Sequence, residues 1–169
     1  MKINVNLKNG FLDDKYSKYA VGKFVYKNNP VCSFPISFEN IPNNAKSLAL
    51  TFVDYDSIPV CGFAWIHWTA ANIPADISEL PENASADSAF GMVQGANSFL
   101  SPFVGETDIK VTHRYAGPTP PDKDHNYTLM VYALDCEMNL KDGFYMNELL
   151  KKVNGHILDT ASIILPARC

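Results

Sequence analysis

The stretch Ser47-Leu48-Ala49-Leu50-Thr51-Phe52-Val53 decides the fold class of this chain. Leu48, Leu50 and Phe52 alternate with Ala49, Thr51 and Val53, so an extended strand here carries apolar or small side chains on both faces. Such a strand belongs in the middle of a sheet, covered on both sides. Working outward, Phe63 to Ala71 has the same character and holds both tryptophans, Trp65 and Trp68. Asn126 to Leu134 is a third run, Thr160 to Leu165 is placed to close the sheet, and Lys23 to Tyr26 is a weaker strand. One amphipathic helix stands out: Met146, Leu149, Leu150 and Val153 follow the i, i+3, i+4, i+7 rule. Lys151 and Lys152 fall in its last turn, where the helix dipole favours cations, and Asn154-Gly155 stops it. Many strands with one or two helices predict a β-sandwich or barrel-like core.

The length of 169 residues suits one domain spanning 1–169, large enough to bury a proper core. A net charge of −4, with no basic run denser than Lys151-Lys152, argues against nucleic acid as a partner. Cys32, Cys61, Cys136 and Cys169 are too far apart in sequence for a zinc knuckle or a redox pair. Residues 1–14 lack the apolar core of a signal peptide, and no apolar run approaches the roughly 20 residues that span a bilayer. The expectation is a cytoplasmic protein with reduced thiols and no membrane span.

Three places set polar groups beside apolar strands. Asp54-Tyr55-Asp56-Ser57-Ile58-Pro59 follows the central strand directly. In extended chain Asp54 and Asp56 point the same way, towards one site; the other reading is a turn in which Asp caps amides and Pro ends the strand. His67, in Trp65-Ile66-His67-Trp68, shares a face with Phe63, Trp65 and Thr69 by strict alternation, and is either a satisfied core histidine or a ligand-binding one. Tyr115-Ala116-Gly117-Pro118-Thr119-Pro120-Pro121 is a stiff, bent loop that can present backbone N–H groups to a ligand or serve as a rigid edge turn. His125 and Tyr127, two apart at the start of a strand, share one face. A pocket of two imidazoles, a phenol and loop amides is rich in donors and suits an oxyanion such as phosphate or a carboxylate.

Five motifs occur in order: Asp54-x-Asp56-x-x-Pro59; Trp65-x-His67-Trp68 with Asn72-Ile73-Pro74; Gln94-Gly95-x-Asn97; Gly117-Pro118-x-Pro120-Pro121; His125-x-Tyr127. Together they resemble the phosphatidylethanolamine-binding proteins, especially the microbial branch called Raf-kinase-inhibitor-like, over roughly residues 34 to 165. The resemblance implies a mainly β fold, with a large central antiparallel sheet packed against a smaller sheet and one or two helices. It implies a pocket at Asp54, His67, His125 and Tyr127, walled by the loop from Gly117 to Pro121; Asp56, Tyr115, Pro118 and Thr119 complete the expected anion site. It also implies a small anion or phosphate-bearing ligand, such as a phospholipid head group. A kinase or protease partner docked over the pocket rim is the alternative, and microbial members commonly form homodimers.

The chain departs from the family pattern in three places. Tyr55 stands where the family has proline, and an additional residue separates Asp56 from Pro59. Cys32-Ser33-Phe34-Pro35 stands where an Asp-Gly-x-Asn stretch is usual. His113-Arg114-Tyr115 copies the family's His-Arg-Tyr triplet but precedes the proline loop, so it competes with His125-Asn126-Tyr127 for the pocket. No Gly-x-Ser-x-Gly elbow and no His-Glu-x-x-His metal helix is present. Cys61, without an activating arrangement, reads as a buried inert thiol. The expectation is a binding protein rather than an enzyme, with no cofactor and no metal; a hydrolase using two carboxylates and a histidine is the lesser alternative.

Overall fold

The computed structural model describes residues 1–169. In chain order its main elements are β1 (Lys2–Asn4), β2 (Ile36–Glu39), β3 (Ser47–Asp54), α1 (Ile58–Cys61), β4 (Trp65–Pro74), β5 (Glu79–Leu80), α2 (Ala84–Asp87), β6 (Val93–Gln94), α3 (Ile109–Thr112), β7 (His125–Leu134), α4 (Met146–Val153) and β8 (Ile157–Ala167). Every residue of β3 is buried, as its doubly apolar pattern requires. It sits third in a five-stranded antiparallel sheet, order β6-β4-β3-β7-β8. A three-stranded antiparallel sheet, order β1-β2-β5, is the smaller layer.

Leu48, Leu50 and Phe52 of β3 and Leu129 and Val131 of β7 pack with Phe34, Ile36, Phe38 and Leu80 on the side of the small sheet. Ala49, Ala71 and Leu134 face the other way and meet Leu149 and Val153 of α4. Two residue sets, offset by one along each strand, thus fill two layers. The mainly β class, the large antiparallel sheet and the smaller sheet agree with the sequence reading. The helix tally differs: α1, α2 and α3 are four-residue single turns, too short to show a repeat in sequence. The closing strand runs longer than Thr160–Leu165, from Ile157 to Ala167. Of Lys23–Tyr26 only Val25–Tyr26 is strand, since Gly22–Phe24 winds into a 3₁₀ turn. No helix is long and apolar enough to cross a membrane.

One irregularity prepares the site. Phe52 pairs with Trp68 but Val53 pairs with Ile66, so His67 is an extra residue on β4, a β-bulge. Strict alternation grouped His67 with Trp65 and Thr69; the bulge leaves His67 on the face of Trp65 and separates it from Thr69. The His67 ring lies 5.8 Å from that of Phe52, and Trp68 lies 5.8 Å from Tyr115, so both turn to the inner face. Thr69 goes to the opposite face, where a Cβ added to Gly95 would meet its Oγ1 at 2.2 Å and the Phe144 carbonyl at 2.6 Å. Only glycine permits β6 and the Phe144 segment to approach so closely.

Candidate functional site

Register brings the polar groups to one end of the large sheet. Tyr127 of β7 pairs with Asp54 of β3, and Asp54 pairs with Trp65 of β4, so three side chains share the inner face in one row. His125 lies two residues before Tyr127, and the bulge adds His67. A cavity of about 250 Å³ opens here, with Asp54, His67, His125 and Tyr127 as its polar floor. Val60, Cys61, Trp65 and Phe99 make one wall, and Thr119, Pro120 and Pro121 the other.

Asp54 is the hinge of the floor. Its carboxylate accepts the Ser57 N–H at 3.1 Å and lies 2.7 Å from His125 Nδ1. Ser57 in turn donates its hydroxyl to the Asp54 carbonyl at 2.7 Å and accepts the Trp65 N–H at 3.0 Å, which fixes α1 against the two strand ends. The other His125 nitrogen, Nε2, lies 2.9 Å from Asp122. Burial alone would push the His125 pKa down, but the carboxylates of Asp54 and Asp122 outweigh it and hold the value above normal. The same contact keeps Asp122 below the usual carboxylate range. With a carboxylate at each nitrogen, the His125 ring favours its protonated form, and both of its N–H groups are committed.

His67 is the reverse case. Its Nδ1 lies 2.6 Å from the Ala116 carbonyl, and its own carbonyl accepts the Ala116 N–H at 3.0 Å, so β4 and the proline loop exchange hydrogen bonds there. The carbonyl can only accept, which places the proton on Nδ1 and leaves the Nε2 lone pair towards the cavity. Burial drives the His67 pKa down to about 4, against a smaller opposing effect of the Ala116 carbonyl. Tyr127 packs edge-on to His67 with ring centres 5.0 Å apart, and burial together with the Asp54 carboxylate raises its pKa, so its hydroxyl keeps its proton.

Six of the expected residues meet at the cavity: Asp54, His67, Thr119, Pro121, His125 and Tyr127. Four do not line it. Asp56 turns aside because its carboxylate accepts the Asn126 N–H at 2.8 Å, pinning the start of β7. Tyr115 is fully buried in the core, where its hydroxyl donates to the Tyr16 carbonyl at 2.6 Å and its ring stacks on Phe52. Gly117 presses on the chain at Tyr16, whose carbonyl would sit 2.4 Å from an added Cβ. Pro118 is buried beside it. The competing triplet is also placed elsewhere: the His113 ring lies against Gly143, and Arg114 donates to the Ala86 carbonyl at 2.8 Å.

Two other expectations change. Cys61 is exposed at the cavity mouth rather than buried, since α1 is a surface turn; its Sγ lies 3.3 Å from the carbonyls of Ser57 and Phe63. The cavity also has fewer free donors than two imidazoles promised, because His125 is consumed by two carboxylates and His67 offers a lone pair. Ser57, Val60, Cys61, Trp65 and Phe99 were not foreseen as lining residues, whereas Pro120 lies in the loop expected to wall the pocket. Trp65 was within reach of the two-residue rule from His67. Phe99 carried no signal; it is delivered by the 3₁₀ turn Ser98–Leu100, which Asn97 caps by accepting the Phe99 N–H. The Gln94-Gly95-x-Asn97 motif is scaffolding: Gln94 accepts the Trp68 indole N–H at 2.9 Å, and Asn97 donates to the carbonyls of Val111 and Arg114.

The comparisons with known proteins agree with this architecture. A family model described as phosphatidylethanolamine-binding protein matches residues 3–167. The uncharacterized protein YxkA of Bacillus subtilis (strain 168) is 62% identical over 160 residues, covering 95% of each chain. A UPF0098 protein of Chlamydia muridarum is 36% identical over 153 residues, 89% of this chain and 85% of its own. The crystal structure of a Chlamydia trachomatis protein, described as a candidate phosphatidylethanolamine-binding protein homologue, superposes with a TM-score of 0.78 at 30% identity, covering 99% of this chain and 97% of that one. Escherichia coli YbcL, described as a member of the mammalian family, superposes with a TM-score of 0.76 at 26% identity, covering 99% and 98%.

Proposed function

The chain belongs to the phosphatidylethanolamine-binding protein family, and on that basis we propose that its cavity binds a phosphate-type oxyanion together with a proton, without catalysing a reaction. The observation that carries this reading is the cavity-facing Nε2 of His67, a neutral acceptor over a floor that also holds the Asp54 carboxylate. A fully deprotonated anion meets two electron pairs there and few donors. Inorganic phosphate or a phosphomonoester brings a P–O–H at pH 6, which donates to Nε2 or to Asp54, while its other oxygens accept from Tyr127 and Thr119. The apolar walls at Trp65, Phe99 and Pro121 suit the remainder of a ligand such as a phospholipid head group.

Catalysis fits less well, because the floor groups are engaged with one another: Asp54 with Ser57 and His125, His125 also with Asp122. The Cys61 Sγ lies 3.3 Å from the carbonyl oxygens of Ser57 and Phe63, neither of them a base that would activate it. A cytoplasmic location accords with four cysteines standing as free thiols. A second reading, a kinase- or protease-type protein partner docking over the rim, is favoured by exposed Tyr55, Ile58 and Val60 on and before α1. Calorimetry at pH 6 tests the proton-coupled reading. Phosphate should bind at least about tenfold more tightly than sulfate, which carries no proton, and His67→Phe should remove the preference, a difference of about 1.4 kcal/mol. Equal affinity for the two anions, or phosphate binding untouched in His67→Phe, would refute it.

A further inference from the structure

The opposite end of the β3–β7 pair carries a second polar cluster, far along the strands from the cavity. β7 ends at Leu134, and the next two residues are Asp135 and Cys136; His156 immediately precedes β8. The β7–β8 ladder slips here, with Ala133 opposite Asp159 but Leu134 opposite Ile157. That bulge folds the two strand ends back on each other, and the Asp135 N–H donates to the His156 carbonyl at 3.1 Å. Three side chains converge as a result. His156 Nδ1 lies 2.9 Å from an Asp135 oxygen and 3.4 Å from Cys136 Sγ, and the three ligand atoms all lie within 4.8 Å of one another.

Without a metal, the Asp135 carboxylate accepts from the His156 Nδ1–H, and the Cys136 thiol stands beside both. A divalent cation at the common point would satisfy all three at once. We propose that Asp135, Cys136 and His156 form a site for a late first-row divalent ion of the Zn²⁺ class, completed by water. The donor set selects the ion: thiolate and imidazole suit Zn²⁺ and its neighbours, whereas Mg²⁺ and Ca²⁺ require oxygen ligands in larger number. Ligands of a tetrahedral zinc stand about 3.5 Å apart, so small side-chain rotations close the site. The frame is already set, because Ser47 donates its hydroxyl to the Cys136 carbonyl at 2.7 Å. Asp135 and His156 are exposed, which leaves solvent to fill the open position.

Cobalt(II) is the probe, added to tag-free protein kept reduced by a phosphine. A thiolate-to-cobalt charge-transfer band in the near ultraviolet, abolished by one equivalent of Zn²⁺, is the expected result. Cys136→Ser should eliminate the band, and His156→Ala should weaken cobalt affinity by at least the roughly 10–100-fold that even outer partners of metal ligands contribute. Cys61→Ala, at the exposed thiol of the cavity mouth, should retain the band in full. Circular dichroism would confirm that each variant is folded. No band in the wild type, or a band that survives Cys136→Ser, overturns the proposal.

Discussion

The β4 wall of the cavity and its β7 wall each carry a buried histidine, and their surroundings hold the two in opposite states. His67 on β4 meets a carbonyl and apolar rings, and burial keeps it neutral down to about pH 4. His125 on β7 meets two carboxylates, which keep it charged in spite of burial. The two rings share Tyr127 as a neighbour, at 5.0 and 6.3 Å. What separates them is the balance of desolvation against hydrogen-bond partner: burial prevails over a single carbonyl at His67, and two carboxylates prevail over burial at His125. One wall is an internally neutralised strut, and the other retains capacity for a ligand's proton.

The strut gives the largest expected effect. Asp54→Ala would leave the His125 imidazolium buried with only the exposed Asp122 beside it, and would free the Ser57 N–H. Removing one partner of a buried pair typically costs about 3–5 kcal/mol, so urea unfolding at pH 7 should show a loss of that size. A loss under about 1 kcal/mol would mean that the pair is solvated and the contrast between the walls is weaker than drawn.

A smaller effect follows from pH. The native His67 pKa, about 4, lies below the ordinary value of 6.5, so between these values the unfolded chain binds a proton that the native state refuses. Stability consequently falls as pH drops from 6.5 towards 4, by about 2 kcal/mol at pH 4.5, and is restored above 6.5. His125 works in the other direction: its raised pKa contributes in full below about 6.5 and the contribution fades as pH climbs through the native value. Urea unfolding of wild type and His67→Phe from pH 4.5 to 6.5 separates the two, since only the wild type should lose the extra stability. Parallel curves would place the burden on another group.

Much of this was legible in the residues. The doubly apolar β3 announced a central strand, the four-residue spacing of Leu149 and Val153 announced α4, and the pairing of His125 with Tyr127 followed from a period of two. The misses have particular causes. The β4 bulge cannot be read from Trp65-Ile66-His67-Trp68, because alternation assumes the very register that the bulge breaks. Asp56 looked like a partner of Asp54, but β3 ends at Asp54, so the rule for extended chain stops applying one residue later. Tyr115 belonged to a loop whose stiffness and backbone N–H groups suggested a ligand, while its hydroxyl was required by the buried Tyr16 carbonyl. Asp135, Cys136 and His156 lie up to 21 residues apart and join only through strand pairing, which no local spacing reveals.

The difference between the walls is best tested by following both imidazoles in nitrogen-resolved NMR spectra across pH, with and without inorganic phosphate. His67 should be the neutral Nδ1–H tautomer throughout pH 5–7, and phosphate should move its signals and raise its apparent pKa by about a unit or more, equivalent to about 1.4 kcal/mol. His125 should titrate at higher pH than His67 and shift little with phosphate. A His67 that titrates near 6.5 in the free protein, or whose signals ignore phosphate, would contradict the account.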